Sequence, residues 1–250
     1  MKTEWDYTKL ADAYLKRPEY SPELLDKLFG IAGITKESKI CDIGAGVAHL
    51  TIPMAQKDFL VDAVEPNDAM RANGIKRTAD FSNVSWFEGT GENTGRPSNE
   101  YDFVTFGSSF NVCDRTLAMK EVARLLKSKK WFTCMWNHRQ LDDPIQKEIE
   151  NIIKKNINDY GYGTRRESQT EIIMNSGLFE NIKEETGTII HTQKVVDIVE
   201  AWRSHGTLHR QAEDKFNSII RDIENYLDSL NTESVQVPYL TRAWIAQKKD

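Results

Sequence analysis

The chain has 250 residues, 39 % of them apolar and 28 % charged, with a formal net charge of −5. This is the profile of a globular protein large enough for a sizeable core. No apolar run approaches the roughly 18 residues of a membrane span, and a negative chain without a basic stripe does not favour non-specific nucleic-acid binding.

Residues 1–36 read as helical, over 7–15 and again over 21–29, where Ser21 is a candidate N-cap and Pro22 takes the first helical position. Apolar runs near 38–43, 60–65, 83–88, 100–106 and 129–136 then alternate with helical spacing near 47–57, 67–77 and 115–127. Continuous apolar strands separated by helices imply parallel pairing, right-handed crossovers and a sheet covered on both faces. Beyond Trp136 the spacing predicts helices over 145–153, 167–176 (closed by Gly177), 195–204 and 211–230, and strands over 179–193 and 235–246. Pro238 predicts an edge position or a strand start for the last run, because proline has no N–H for the ladder. The expected fold is α/β: a Rossmann-like, seven-stranded, mostly parallel sheet with helices on both faces. Residues 1–36 form an N-terminal helical lid, 37–137 the cofactor-binding core, and 138–250 the remaining strands and a small C-terminal helical cap, in one structural domain. Residues 1–6 hold no apolar signal core. Cys41, Cys113 and Cys134 lie far apart without metal-ligand spacing, so a reducing, cytoplasmic compartment and no metal are expected.

The first strand runs into Asp42-Ile43-Gly44-Ala45-Gly46-Val47-Ala48-His49. Glycine lets backbone approach a ligand closely at such a turn, and N–H groups ahead of a helix suit a polar or anionic group. About twenty residues later the second strand ends in Glu65, an acid placed to accept hydrogen bonds from ribose hydroxyls. The spacing indicates a nucleoside cofactor. A dinucleotide fingerprint wants a third glycine or alanine where His49 stands, and it has no place for Asp42. A nucleotide-dependent oxidoreductase is one alternative; a non-catalytic protein that keeps the pocket is another.

Asp-x-Gly-x-Gly followed by an acidic strand end resembles the first motif of class I S-adenosylmethionine-dependent methyltransferases. Other segments resemble the type-11 methyltransferase family. Gly89-Thr90-Gly91-Glu92 is similar to its Gly-x-Ala-Glu loop, with Gly91 replacing alanine. Tyr101-Asp102-Phe103-Val104 and the small residues up to Asn111 are similar to its fourth strand and the loop after it. Tyr14-Leu15-Lys16-Arg17-Pro18-Glu19-Tyr20 resembles its opening segment, and 237–243 its closing strand. The resemblance implies S-adenosylmethionine as cofactor. It assigns Asp42, Gly44, Ala45 and Gly46 to the first loop, and Glu65, Pro66, Asn67 and Met70 to the second. Thr90, Gly91 and Glu92 fall at the adenine. Phe106, Gly107, Ser108 and Phe110 fall along the methionine part, with Tyr14, Arg17 and Tyr20 closing over it. Position 48, often glycine in the family, carries alanine, which is nearly as small. Asn111 stands where many members carry histidine.

His138, just after the fifth strand run, is the best-placed candidate base; His205 and His209 follow, and His49 and His191 are less attractive. The chain lacks the Asn/Asp-Pro-Pro-Tyr/Phe motif of adenine or glutamine-amide nitrogen methylation and the Pro-Cys pair of cytosine C5 methylation. The expected reaction is methyl transfer to an O or N atom of a small-molecule acceptor, with no nucleic-acid or membrane partner. Arg139, Arg165, Arg166, Arg203 and Arg210, with Trp202 near them in sequence, could grip a carboxylate or phosphate on that acceptor.

Overall fold

A computed structural model describes Thr8 and residues 11–250; Tyr7, Lys9 and Leu10 of the first expected helix, and residues 1–6, lie outside the described residues. Seven strands form one sheet: β1 (Lys39–Ile43), β2 (Leu60–Val64), β3 (Val84–Phe87), β4 (Tyr101–Gly107), β5 (Leu126–Arg139), β6 (Phe179–Lys194) and β7 (Ser234–Lys248). Their order is β3-β2-β1-β4-β5-β7-β6. The first five run parallel, and β7 is antiparallel to both β5 and β6. The chain winds outward from β1 to β3 and then restarts on the other side at β4. This puts the topological switch point between β1 and β4.

Strand alternation divides the core between the two faces. From β5, Phe132, Cys134 and Trp136 enter one cluster and Met135 the other; from β7, Trp244 and Ala246 oppose Ala243 and Ile245. The first cluster is covered by α5 (Arg115–Leu125) and α7 (Thr170–Asn175), the second by α2 (Pro22–Ala32) and α3 (Thr51–Ala55). Ser21 does cap α2, its Oγ accepting from Leu24 N at 3.4 Å, and Gly33 ends the helix at φ +64°. Next to β3, α4 (Asp68–Arg77) packs so closely that a Cβ on Gly74 would lie 2.1 Å from the Trp86 ring. The short α1 (Ala11–Tyr14) rests its buried Ala11 on Val47 and Met70. A separate apolar cluster joins α6 (Pro144–Asn156), α8 (Val195–Arg203), α9 (Gly206–Ala212) and α10 (Phe216–Ser229) to the start of β7. Among the described residues no helix is long and apolar enough to cross a membrane.

Three expectations are corrected. The helix expected from residue 47 starts at Thr51, because Ala48 takes a left-handed φ of +74°. Glycine at position 48 would therefore relieve conformation, not size, and the departure at Ala48 is not mild. Ala48→Gly is expected to stabilise the protein by about 1 kcal/mol, measured by urea unfolding. The helix expected over 211–230 is split: Glu213 turns at φ +49° and a 3-10 turn precedes α10. Pro238 marks neither an edge nor a start, for β7 lies between β5 and β6 and Pro238 pairs with Ile190. Its carbonyl accepts from Gln140 N, so the missing N–H faces the same way, past the end of β5 where no strand needs it.

Candidate active site

A cavity of about 480 Å³ opens at the carboxyl ends of β1, β2, β4 and β5, where open α/β sheets hold ligands. One wall is the glycine turn. Gly44 has φ +67°, and a Cβ there would lie 2.4 Å from Ser109 Cβ; Gly46 has φ +58° and approaches Met70. The turn does not offer a row of free N–H groups. Gly44 N and Ala45 N both donate to Val64 O, at 2.8 and 3.1 Å, and Gly46 N donates to Glu65 Oε2 at 2.9 Å. These groups tie the turn to the end of β2.

Asp42 is buried below the turn. Its Oδ2 accepts from Thr51 Oγ1 at 2.7 Å and its Oδ1 from Thr105 Oγ1 at 2.8 Å. Burial pushes its carboxyl up to about 6, against the pull of the two threonine hydroxyls. Asp42 thus braces β1, the start of α3 and β4 together. Glu65 projects from the end of β2, 6 % exposed, and accepts from Gly46 N and Asn67 N, each at 2.9 Å. Burial raises its pKa, and the two N–H donors partly offset the rise. Each oxygen holds one backbone N–H and keeps a lone pair for a further donor. Asn67 caps α4, accepting from Met70 N.

Thr90, Gly91 and Glu92 line the cavity beside β4. A Cβ on Gly91 would meet Cys113 Sγ at 2.3 Å, so the thiol occupies the space that alanine would need. Burial pushes the Cys113 thiol up to about 12. Glu92 Oε1 accepts from Asp114 N at 2.7 Å, fastening the loop to the start of α5. Ser108 has φ +62°, and its hydroxyl lies 3.0 Å from that of the buried Tyr20. Above them, Arg17 lies over the Tyr14 ring at 3.7 Å and donates to Ser204 O at 3.1 Å, joining the N-terminal segment to the cap. His49, at the position where a dinucleotide turn wants a third small residue, holds this segment. Its Nε2 is 2.8 Å from Tyr14 O, and Arg77 approaches its Nδ1 at 3.5 Å. Burial lowers its pKa to about 4, so the ring is neutral, and a proton on Nε2 satisfies both contacts.

Of the residues expected at the site, Phe106 and Phe110 do not reach it. Both are fully buried, packed edge to face at 5.2 Å within the core cluster under α5. The other expected cofactor contacts and His138 all line the cavity. His138 is buried near the end of β5. His205 also lines the cavity; its Nδ1 accepts from Leu208 N and caps α9. His209 packs on Phe216, and His191 lies against Glu19 O. Trp136, at the end of the fifth apolar run, is buried in the core cluster and also part of the wall, and donates from Nε1 to Asn111 Oδ1 at 2.8 Å. An indole N–H only donates, so the Asn111 oxygen must face it, and the amide NH₂ is what Asn111 offers the cavity. Ser109, Tyr162 and Tyr239 also line the cavity without a sequence signal.

The strand order, the switch point and the acid-ended β2 beside a glycine turn define a class I methyltransferase fold. Residues 40–129 match a family described as methyltransferase domain. An uncharacterized methyltransferase of Schizosaccharomyces pombe is 23 % identical over 250 residues, 96 % of each chain. The YcgJ protein of Bacillus subtilis, 17 % identical, superposes with a TM-score of 0.60 over 91 % of this chain and 99 % of its own. Phosphoethanolamine N-methyltransferase 2 of Haemonchus contortus, solved with phosphomonomethylethanolamine and S-adenosylhomocysteine, does so at 14 % identity with a TM-score of 0.54, over 91 % of this chain and 52 % of that one. Residues 40–129 thus match a methyltransferase domain, and the chain as a whole shares the class I methyltransferase fold.

Proposed function

We propose that this protein transfers a methyl group from S-adenosylmethionine to an O or N atom of a small-molecule acceptor in the cytoplasm. The observation that carries the reading is the Glu65 carboxylate, buried on the cavity wall and held by Gly46 N and Asn67 N with lone pairs to spare. That arrangement suits a ribose diol. When bound, the cofactor supplies an electrophilic methyl carbon on a sulfonium and a neutral thioether leaving group. Asp42, Gly44, Ala45, Gly46, Pro66, Asn67 and Met70 surround its nucleoside side, and Thr90, Gly91 and Glu92 its adenine. Gly107, Ser108, Tyr14, Arg17 and Tyr20 enclose its amino-acid part. The chain's own contribution is alignment and exclusion of water. Asn111 orients the acceptor through its amide NH₂, and His138 takes the proton where the acceptor atom carries one. The three cysteines, all free, with Cys41 and Cys134 buried, accord with a reducing compartment.

A dinucleotide oxidoreductase is disfavoured by the turn itself. Gly44, Ala45 and Gly46 have already committed their N–H groups to Val64 and Glu65, so these are not available to a pyrophosphate. Calorimetry with S-adenosylhomocysteine and NAD separates the two readings: saturable binding of the first and none of the second is expected, and the reverse sinks the proposal. Release of label from methyl-labelled cofactor across a metabolite panel distinguishes an enzyme from a silent binding protein. Once an acceptor is known, His138→Ala is expected to slow transfer about 10²–10⁴-fold if its nucleophile is protonated. A loss of only a few-fold there removes His138 as the base.

A further inference from the structure

The cavity is electrically lopsided. Its three lining carboxylates, Asp42, Glu65 and Glu92, all lie at the end built by β1, β2 and the 88–94 loop, and each already accepts from a hydroxyl or a backbone N–H. The opposite wall comes from the end of β5, the 3-10 turn Gly163–Arg166 and the α8–α9 junction. Among the described lining residues that wall has no carboxylate, but it has Arg139, Arg166 and Arg210, the last turned back onto Gly206 O and Thr207 Oγ1 of its own helix. Arg203, which looks equivalent in sequence, is paired with Glu200 and Glu224. The Arg165 side chain lies outside the described residues.

Arg139 and Arg166 share an unusual state. The Arg139 guanidinium lies over Trp202 at 4.2 Å and within 5.7 Å of the Tyr239 ring centre, and its Nε is buried without a hydrogen-bond partner. The Arg166 guanidinium lies over Tyr162 at 3.9 Å, and its Nε is likewise buried without a partner. Its Nη2 donates a long hydrogen bond, 3.5 Å, to Arg139 O. Buried donors normally find acceptors because leaving them bare is costly. Here two guanidinium groups are held by aromatic faces on a cavity wall, and the Nε of each lacks an acceptor among the described residues. A planar fork fixed in this way loses little freedom on capturing a planar or tetrahedral oxyanion.

We propose that Arg139 and Arg166 form an anion subsite and that the methyl acceptor is a small molecule carrying a carboxylate or a phosphate monoester. This rests on the methyltransferase reading, since it identifies the occupant of the far wall as the acceptor. The subsite anchors the acceptor by its charged end and leaves its other end to reach the β4–β5 region beside Asn111 and His138.

The test is calorimetry on the protein saturated with S-adenosylhomocysteine, using benzoate and phenyl phosphate as anionic probes and benzamide as a neutral analogue of benzoate. At least one anion is expected to bind ten-fold or more tightly than benzamide, and the better one identifies the headgroup. Arg139→Gln and Arg166→Gln are each expected to weaken that binding about ten- to a hundred-fold. Arg139→Lys, which keeps the charge but loses the fork, should fall between. S-adenosylhomocysteine affinity, unchanged within two-fold, certifies that each variant is folded. No saturable anion binding, equal binding of benzamide, or wild-type anion affinity in both glutamine variants overturns the subsite. If the wild type fails to bind S-adenosylhomocysteine, the cofactor reading falls instead, and the same anion titration on the ligand-free protein still decides the subsite.

Discussion

Gly44→Ala is expected to cost about 2–5 kcal/mol of folding stability and to reduce S-adenosylhomocysteine binding below detection. Two effects add. Alanine at φ +67° carries about 1–2 kcal/mol of left-handed strain. Its Cβ also lies 2.4 Å from Ser109 Cβ, and relieving that overlap costs on the order of 1–3 kcal/mol. Ser109 cannot swing aside freely, because its hydroxyl donates to Ile43 O at 2.6 Å. The turn must then move away from the β4 loop, carrying Gly46 N from Glu65. Gly44→Ala combined with Ser109→Gly separates the two effects: the overlap disappears and the strain remains, so stability returns in part. Wild-type melting temperature and affinity in the single variant would show that the close approach of turn and loop has no role.

The sheet was legible because every strand buried on both faces leaves a continuous apolar run, and the crossover rules fix how such runs pair. The same burial hides which face a residue serves. Phe106 near the end of β4 and Phe110 in the loop after it are placed at the cavity by resemblance, yet both pack inward in the cluster under α5. Trp136 belongs to the same buried cluster and reaches the cavity wall as well. Helix limits failed at Ala48 and Glu213, where a left-handed residue other than glycine breaks the chain without any compositional mark.

The glycine turn was found for a reason only partly right. Its spacing marks a close approach of backbone, but the approach serves Ser109 and β2 as well as the cavity, and the N–H groups are used within the protein. The cap arginines were visible as a group and inseparable in sequence. Only the fold distinguishes Arg203, neutralised by Glu200 and Glu224, from Arg139 and Arg166 on their aromatic supports. Such pairings depend on which helix faces which, and nothing in local spacing records that.

Glu65 is where fold and chemistry meet most directly. Glu65→Ala is expected to weaken S-adenosylhomocysteine binding by about 1–3 kcal/mol through loss of charge-assisted hydrogen bonds to the ribose. It also strips Gly46 N and Asn67 N of their acceptor, so stability falls with it. Glu65→Gln separates the two contributions. Its amide oxygen can still accept from one N–H, while its NH₂ faces the other as donor against donor, so the turn loosens less than in the alanine variant. The side chain also gives binding a pH dependence of defined sign. Burial raises the Glu65 pKa above that of an ordinary carboxylate, so acidification protonates it earlier than a surface glutamate. A protonated carboxyl loses acceptor capacity toward the ribose hydroxyls and the backbone N–H groups. Affinity is therefore expected to be full while Glu65 is ionised, to fall as pH drops through its raised pKa, and to lose most of this dependence in Glu65→Gln. Calorimetric titration across that acidic range checks both slopes; a wild-type affinity independent of pH, or one matched by Glu65→Ala at neutral pH, removes Glu65 from the cofactor site.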